Sequence, residues 1–159
     1  MQRGLSRPGW EETALICEIH FRVRYAETDR MGVTHHAVYP VWFEMLRTEL
    51  CRQAGIPYAE SEAAGLMCPL TGLQCRYLRG TTYDDEITVR GWICAYRGAR
   101  MTVRYEVFAN GDLEHPCCTG ETEHAWVDAK TFAPLSLRRR FPAWHERLTA
   151  ALEEGRTAG

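Results

Sequence analysis

From Cys17 the chain alternates strictly, with Cys17, Ile19, Phe21, Val23 and Tyr25 on one side and Glu18, His20, Arg22 and Arg24 on the other. Period two with a charged second face predicts a strand that turns one side to a core and the other to water. The period changes after Ala26. Residues 27–34 form a loop containing Gly32, and from about Ala37 to Ala54 the apolar spacing is helical, carried by Val38, Trp42, Met45, Leu46, Leu50 and Cys51. Gly55 is a suitable stop and Pro57 follows it. At 1.5 Å per residue such a helix is a rod of about 25 Å. Tyr39, Val41 and Phe43 widen its apolar stripe, so much of its circumference needs a cover.

The segment 58–64 predicts a short helical connector. Leu66 to Leu78 is extended, with Pro69 and Gly72 marking an edge, bend or bulge. After a turn at 81–85, Ile87, Val89, Gly91, Ile93 and Ala95 alternate with Thr88, Arg90, Trp92, Cys94 and Tyr96. A further strand carries Met101, Val103, Tyr105 and Val107. Asn110-Gly111 is a turn signal, and Cys117 to Asp128 reads as the last long strand. Short links between long strands make them antiparallel neighbours. One sheet plus one dominant helix is α+β, and wrapping a five-stranded antiparallel sheet around the helix would provide the cover it needs.

The C-terminal part differs from this pattern. It holds the basic run Arg138, Arg139, Arg140, and then Trp144, Leu148, Ala151 and Leu152 at the spacing of a short amphipathic helix. The chain therefore divides into an N-terminal arm at 1–14, a main domain at 15–130 and an extension at 131–159.

At 159 residues the chain is long enough for one domain with one core. A net charge of −2 provides no global field for nucleic acid. No apolar run approaches the roughly 20 residues of a membrane span, and residues 1–10 lack the apolar region of a secretory signal. The seven cysteines contain no C-x-x-C spacing and read as reduced thiols of a cytoplasmic protein. The six histidines contain no H-x-x-x-H pair. His35 and His36 are adjacent, so their side chains are expected to diverge. No metal site and no cofactor is expected.

The stretch from Tyr25 to Tyr39 carries the chemistry. Asp29 precedes the Gly32 loop, and His35-His36 fall where the long helix begins. A helix start offers unpaired N–H donors and a partial positive charge, which can polarise a carbonyl and hold an oxyanion. A carboxylate beside it can attack the carbonyl carbon or activate water. An Asp before a helix is also an ordinary turn or cap residue. Glu44, one turn along the helix, is a second carboxylate. Its plain alternative is pairing with a nearby Arg at i,i+3.

The residues Arg24-Tyr25, Thr28-Asp29, Gly32-Val33, His36, Tyr39, Phe43-Glu44 and Arg47-Thr48-Glu49 resemble the 4-hydroxybenzoyl-CoA thioesterase-like branch of hotdog acyl-CoA thioesterases, including its Tol-Pal-associated subgroup. Tyr83-Asp84-Asp85 and Trp126-Val127-Asp128 extend the resemblance, which covers about residues 16–130. It implies the hotdog fold and hydrolysis of an acyl-CoA. It also implies Asp29 as nucleophile or general base and His36 as the residue positioning thioester or water, with its backbone N–H as a carbonyl donor. Gly32, Val33, His35, Tyr39 and Glu44 take supporting or substrate-binding roles, Glu44 being the alternative nucleophile. The branch assembles as a homodimer or a dimer of dimers with the pocket at a subunit interface. Arg30-Met31 and Thr34-His35 depart from the branch's usual residues, which bears on substrate choice. CoA phosphates call for a cationic cluster near the cleft, drawn from Arg76, Arg79, Arg97, Arg100 and Arg138 to Arg140. Two other activities remain open: a hotdog enoyl-CoA hydratase or dehydratase using Asp29 and His36, and a non-catalytic module binding acyl-CoA or acyl-carrier protein.

Overall fold

The structure, a computed structural model, describes residues 15–153. The arm expected at 1–14 and the chain end beyond 153 lie outside the described residues. Strand β1 (Cys17–Arg22) leads through a 3-10 turn at Tyr25–Glu27 and a tight loop into helix α1 (Tyr39–Gln53). A short helix α2 (Tyr58–Ala63) follows, then β2 (Leu66–Met67), β3 (Leu70–Tyr77), β4 (Glu86–Tyr96), β5 (Arg100–Ala109), β6 (Cys118–Ala125) and β7 (Val127–Asp128). The C-terminal part forms α3 (Leu137–Arg140) and α4 (Pro142–Glu153).

Five strands make one antiparallel sheet in the order β1-β4-β5-β6-β3, and β2 and β7 pair beside it. The predicted single strands at 66–78 and 117–128 are each broken in two. In β3 the register shifts between Leu70 and Gly72, at the bulge that Pro69 and Gly72 predict. This is the hotdog arrangement, with α1 lying against the sheet.

Helix α1 begins at Tyr39, two residues later than the apolar spacing predicts, because residues 36–38 form a turn and Pro40 enters within the first turn. Its buried residues are Tyr39, Trp42, Phe43, Leu46, Arg47, Leu50 and Cys51. Their spacing of three and four builds one face. That face comes unusually close to the sheet. A Cβ added at Gly120 would lie 2.3 Å from Phe43 Cε2, and one at Gly91 would lie 2.4 Å from Leu46 Cδ2. Hydrogen at these two sheet positions lets the helix dock.

Two predicted faces change. Tyr25 is 78% exposed, because β1 stops at Arg22 and the following turn rotates the side chain out. In β4 the register shifts between Ile93 and Ala95, so Tyr96 turns inward and Ala95 outward, the reverse of unbroken alternation. The C-terminal extension shares the main core: Leu135, Leu137, Leu148 and Ala151 are buried in the same cluster as Trp42 and Leu50. Among the described residues no helix is long and apolar enough to cross a membrane.

Candidate active site

The loop between β1 and α1 is held by its own backbone. The Asp29 N–H donates to Val33 O and the Gly32 N–H to Asp29 O, both at 2.9 Å. Gly32 has φ of 80°, a conformation that side chains disfavour. Asp29 Oδ1 accepts the Met31 N–H at 2.8 Å, so the carboxylate takes part in the turn that the plain reading of an Asp before a helix foresees. Oδ2 accepts no bond from a protein donor among the described residues, and the side chain lines a cleft.

This cleft has a volume of about 270 Å³ and is lined by Asp29, Val33, Thr34, His36 and Tyr39 on one side and by Tyr77 to Gly80 on the other. The start of α1 borders it. The Val38 N–H donates to His35 O at 2.9 Å, and the Ala37 N–H to His35 Nδ1 at 3.0 Å. The backbone N–H groups of His36 and Tyr39 donate to no protein acceptor among the described residues. The Tyr77 hydroxyl donates to His36 O at 2.8 Å, which ties the far wall to the helix start. Below, Thr34 and Thr81 share a hydrogen bond of 2.6 Å, and the Tyr39 hydroxyl and Thr81 one of 3.0 Å. Burial pushes the Tyr39 phenol up, so it stays neutral.

Beneath the loop sits Glu27, a buried carboxylate that no periodicity marks. Its Oε1 accepts the Arg24 N–H and its Oε2 accepts the Trp42 indole N–H, both at 2.8 Å. Burial works to raise its pKa, but these bonds and the Arg24 guanidinium together hold it below the usual range. Glu27 therefore fixes the loop to α1 as a charged brace.

The predicted site residues separate into groups. Asp29, Val33, His36 and Tyr39 meet at the cleft, and Gly32 shapes the turn. The His35 and His36 rings do not diverge as expected but stack, with centroids 4.1 Å apart, because the turn at 35–38 curls both side chains to one side. Among the described residues no group of His, Cys, Asp and Glu is arranged to hold a metal ion. Glu44 lies away from the cleft, in a different recess, and makes no ion pair with an Arg among the described residues. Tyr77 and Gly80 line the cleft and Thr81 supports it from below, and sequence patterns missed all three, since nothing local distinguishes them.

Among the described residues Arg79 is the arginine that lines this cleft, and it pairs with Asp112 at 3.5 Å. Arg97, Arg138 and Arg139 gather with His145 around a larger hollow of about 860 Å³. That hollow lies at the far end of β4, about 33 Å along the strand at 3.3 Å per residue.

Fold and cleft together define a class. The thioesterase-like superfamily model matches residues 23–152, and the chain belongs to that superfamily. A Bacillus subtilis (strain 168) protein with the provisional name acyl-CoA thioesterase YneP is 35% identical over 131 residues, covering 82% of this chain and 93% of that protein. The crystal structure of a DHNA-CoA thioesterase from Staphylococcus aureus is 34% identical with a TM-score of 0.79, covering 84% of this chain and 89% of that one. A 1,4-dihydroxy-2-naphthoyl-CoA thioesterase from Synechocystis shares the fold at 14% identity, TM-score 0.74, with 84% and 96% of the two chains covered.

Proposed function

We propose that this thioester hydrolase cleaves an acyl-CoA to the free acid and CoA in the cleft between the Asp29 loop and the start of α1. The observation that carries the reading is the meeting of a carboxylate with an uncommitted oxygen, His36, and unpaired amides of a helix start in one open cleft. The thioester carbonyl oxygen would take the His36 N–H, where the helix end favours negative charge. Asp29 Oδ2 would attack the carbonyl carbon, or take a proton from the water that does. The Met31 N–H on Oδ1 keeps the carboxylate oriented. The carbon–sulfur bond breaks, the CoA thiolate leaves, and water supplies the oxygen and proton that complete the acid and thiol.

The exposed edge supports assembly as a homodimer. Strand β3 is the last strand of the sheet, and its Leu70, Leu73 and Tyr77 and the following Leu78 are exposed together with Val41 and Met45 of α1. An unpaired edge bearing large apolar side chains is a surface for another copy. Such pairing would complete the cleft beside Tyr77. The cytoplasmic setting expected from the reduced cysteines suits a CoA ester as substrate.

The test is thiol release from saturated acyl-CoA and aryl-CoA esters. Wild-type protein is expected to release thiol and Asp29→Asn to lose at least about 100-fold in kcat, with an unchanged circular-dichroism spectrum. Turnover retained in folded Asp29→Asn would remove the assigned role. A hydratase would release no thiol from saturated esters, and a binding module would release none from any ester.

A further inference from the structure

Outside the Asp29 cleft, α1 buries a charge that the chain does not neutralise. Arg47 is 8% exposed, and a guanidinium stays protonated at any ordinary pH. Burying such a group is costly unless an opposite charge compensates it. Its Nε donates to the Tyr58 hydroxyl and its Nη1 to the Tyr105 hydroxyl, both at 3.1 Å. Both partners are neutral oxygens, and no carboxylate pairs with Arg47 among the described residues.

Apart from Glu44 and Glu62 at the recess mouth, the titratable groups packed around the guanidinium are neutral as well. Burial raises the Tyr58 and Tyr105 phenols and the Cys51 and Cys68 thiols. Burial and the charge of Arg47 itself lower His124 to about 4. Hydrogen-bond direction agrees. Because Arg47 can only donate, Tyr105 passes its proton to Thr122 Oγ1 at 2.7 Å, and Thr122 in turn donates to His124 Nε2 at 2.8 Å. His124 accepts there and carries no charge.

The guanidinium borders a recess of about 240 Å³ between α1 and α2, walled by Thr48, Ser61, Leu66 and Cys68. Thr48 already donates to Glu44 O, and Ser61 to Tyr58 O, both at 2.9 Å. Of the five guanidinium N–H groups, the two on Nη2 and one on Nη1 are left for a ligand. Glu44 and Glu62 also line the recess and are exposed, so they repel multiply charged anions at its mouth. One buried positive charge with an open guanidinium edge, beside Leu66, Met67 and Cys68 in an otherwise polar lining, matches a single negative charge on a short stem.

We propose that this recess binds a small monocarboxylate, with Arg47 as its counter-charge. The site shares no residue with the Asp29 cleft, and binding there does not depend on hydrolysis. A carboxylate approaching Nη2 forms a charge-assisted bond of the strong kind and removes the unpaired buried charge.

The probe is sodium butyrate, with butyramide as its uncharged counterpart and pyrophosphate as a multiply charged anion. The Arg47 Nε–H resonance of full-length protein is followed by NMR at constant ionic strength. Butyrate is expected to shift it saturably, at least about tenfold more tightly than butyramide, and pyrophosphate to leave it unmoved. Glu62→Gln, which removes an exposed rim charge, is expected to tighten butyrate binding about twofold. Arg47→Gln is expected to abolish the butyrate-dependent rise in Tm. Equal responses to butyrate and butyramide, or no saturable shift, would overturn the proposal even if Arg47→Gln does not fold.

Discussion

Replacing Gly120 by Ala tests how α1 reaches the sheet. The new methyl would sit 2.3 Å from Phe43 Cε2, 2.5 Å from Cζ and 3.0 Å from Gln74 O. Carbon atoms rest at about 3.5–4.0 Å, so the overlap with the ring exceeds about 1 Å. Phe43 has little room to slide aside, because its ring stacks on Tyr105 at 4.4 Å. Tyr105 in turn is held by Arg47 and Thr122. Either the ring leaves its rotamer or α1 lifts, and overpacking of this kind costs about 1–3 kcal/mol. The trapped ring places Gly120→Ala at the upper end, about 3 kcal/mol, which for a chain of this length lowers Tm by about 10 °C. Phe43→Leu alone costs about 1 kcal/mol but frees the space, so the double variant should recover about 2 kcal/mol relative to additivity. Urea unfolding of the four proteins at one fixed concentration measures the cycle. A Gly120→Ala protein within about 0.5 kcal/mol of wild type, or strict additivity, would refute the claim that the missing Cβ sets the helix height.

His124, lowered to about 4 by burial and Arg47, binds fewer protons folded than unfolded between that value and an ordinary His pKa of about 6.5. Its contribution is therefore fully present above about pH 6.5 and is lost as pH falls towards 4, up to about 3 kcal/mol. A His124→Gln variant should show a flatter unfolding profile over that window, and an unchanged slope would contradict the assignment. Leu73→Arg on the β3 edge should convert the proposed dimer to monomer by sedimentation, whereas a wild-type monomer would remove the interface.

Much of the architecture was open to a reading of the chain alone. Period two in 17–23 and 101–107, the 3.6 spacing of Trp42, Leu46 and Leu50, and the bulge residues Pro69 and Gly72 are local signals, because side-chain direction follows backbone period. The order Asp29, Gly32, His36 also marked one wall of the cleft, since those residues share a loop. Tertiary structure decided the rest. Tyr77 in the opposite wall and Thr81 beneath the cleft meet the helix start through pairings more than forty residues apart in sequence, and no local pattern encodes such a meeting. The shift after Ile93 reverses which of Ala95 and Tyr96 is buried, because one irregular residue in a ladder flips every later side chain. Glu44 and the Arg run looked like parts of the Asp29 site in one dimension, yet helix direction and strand length carry them into separate recesses. Arg47 reads as an ordinary helical arginine until the sheet closes over it, since burial belongs to the assembled fold.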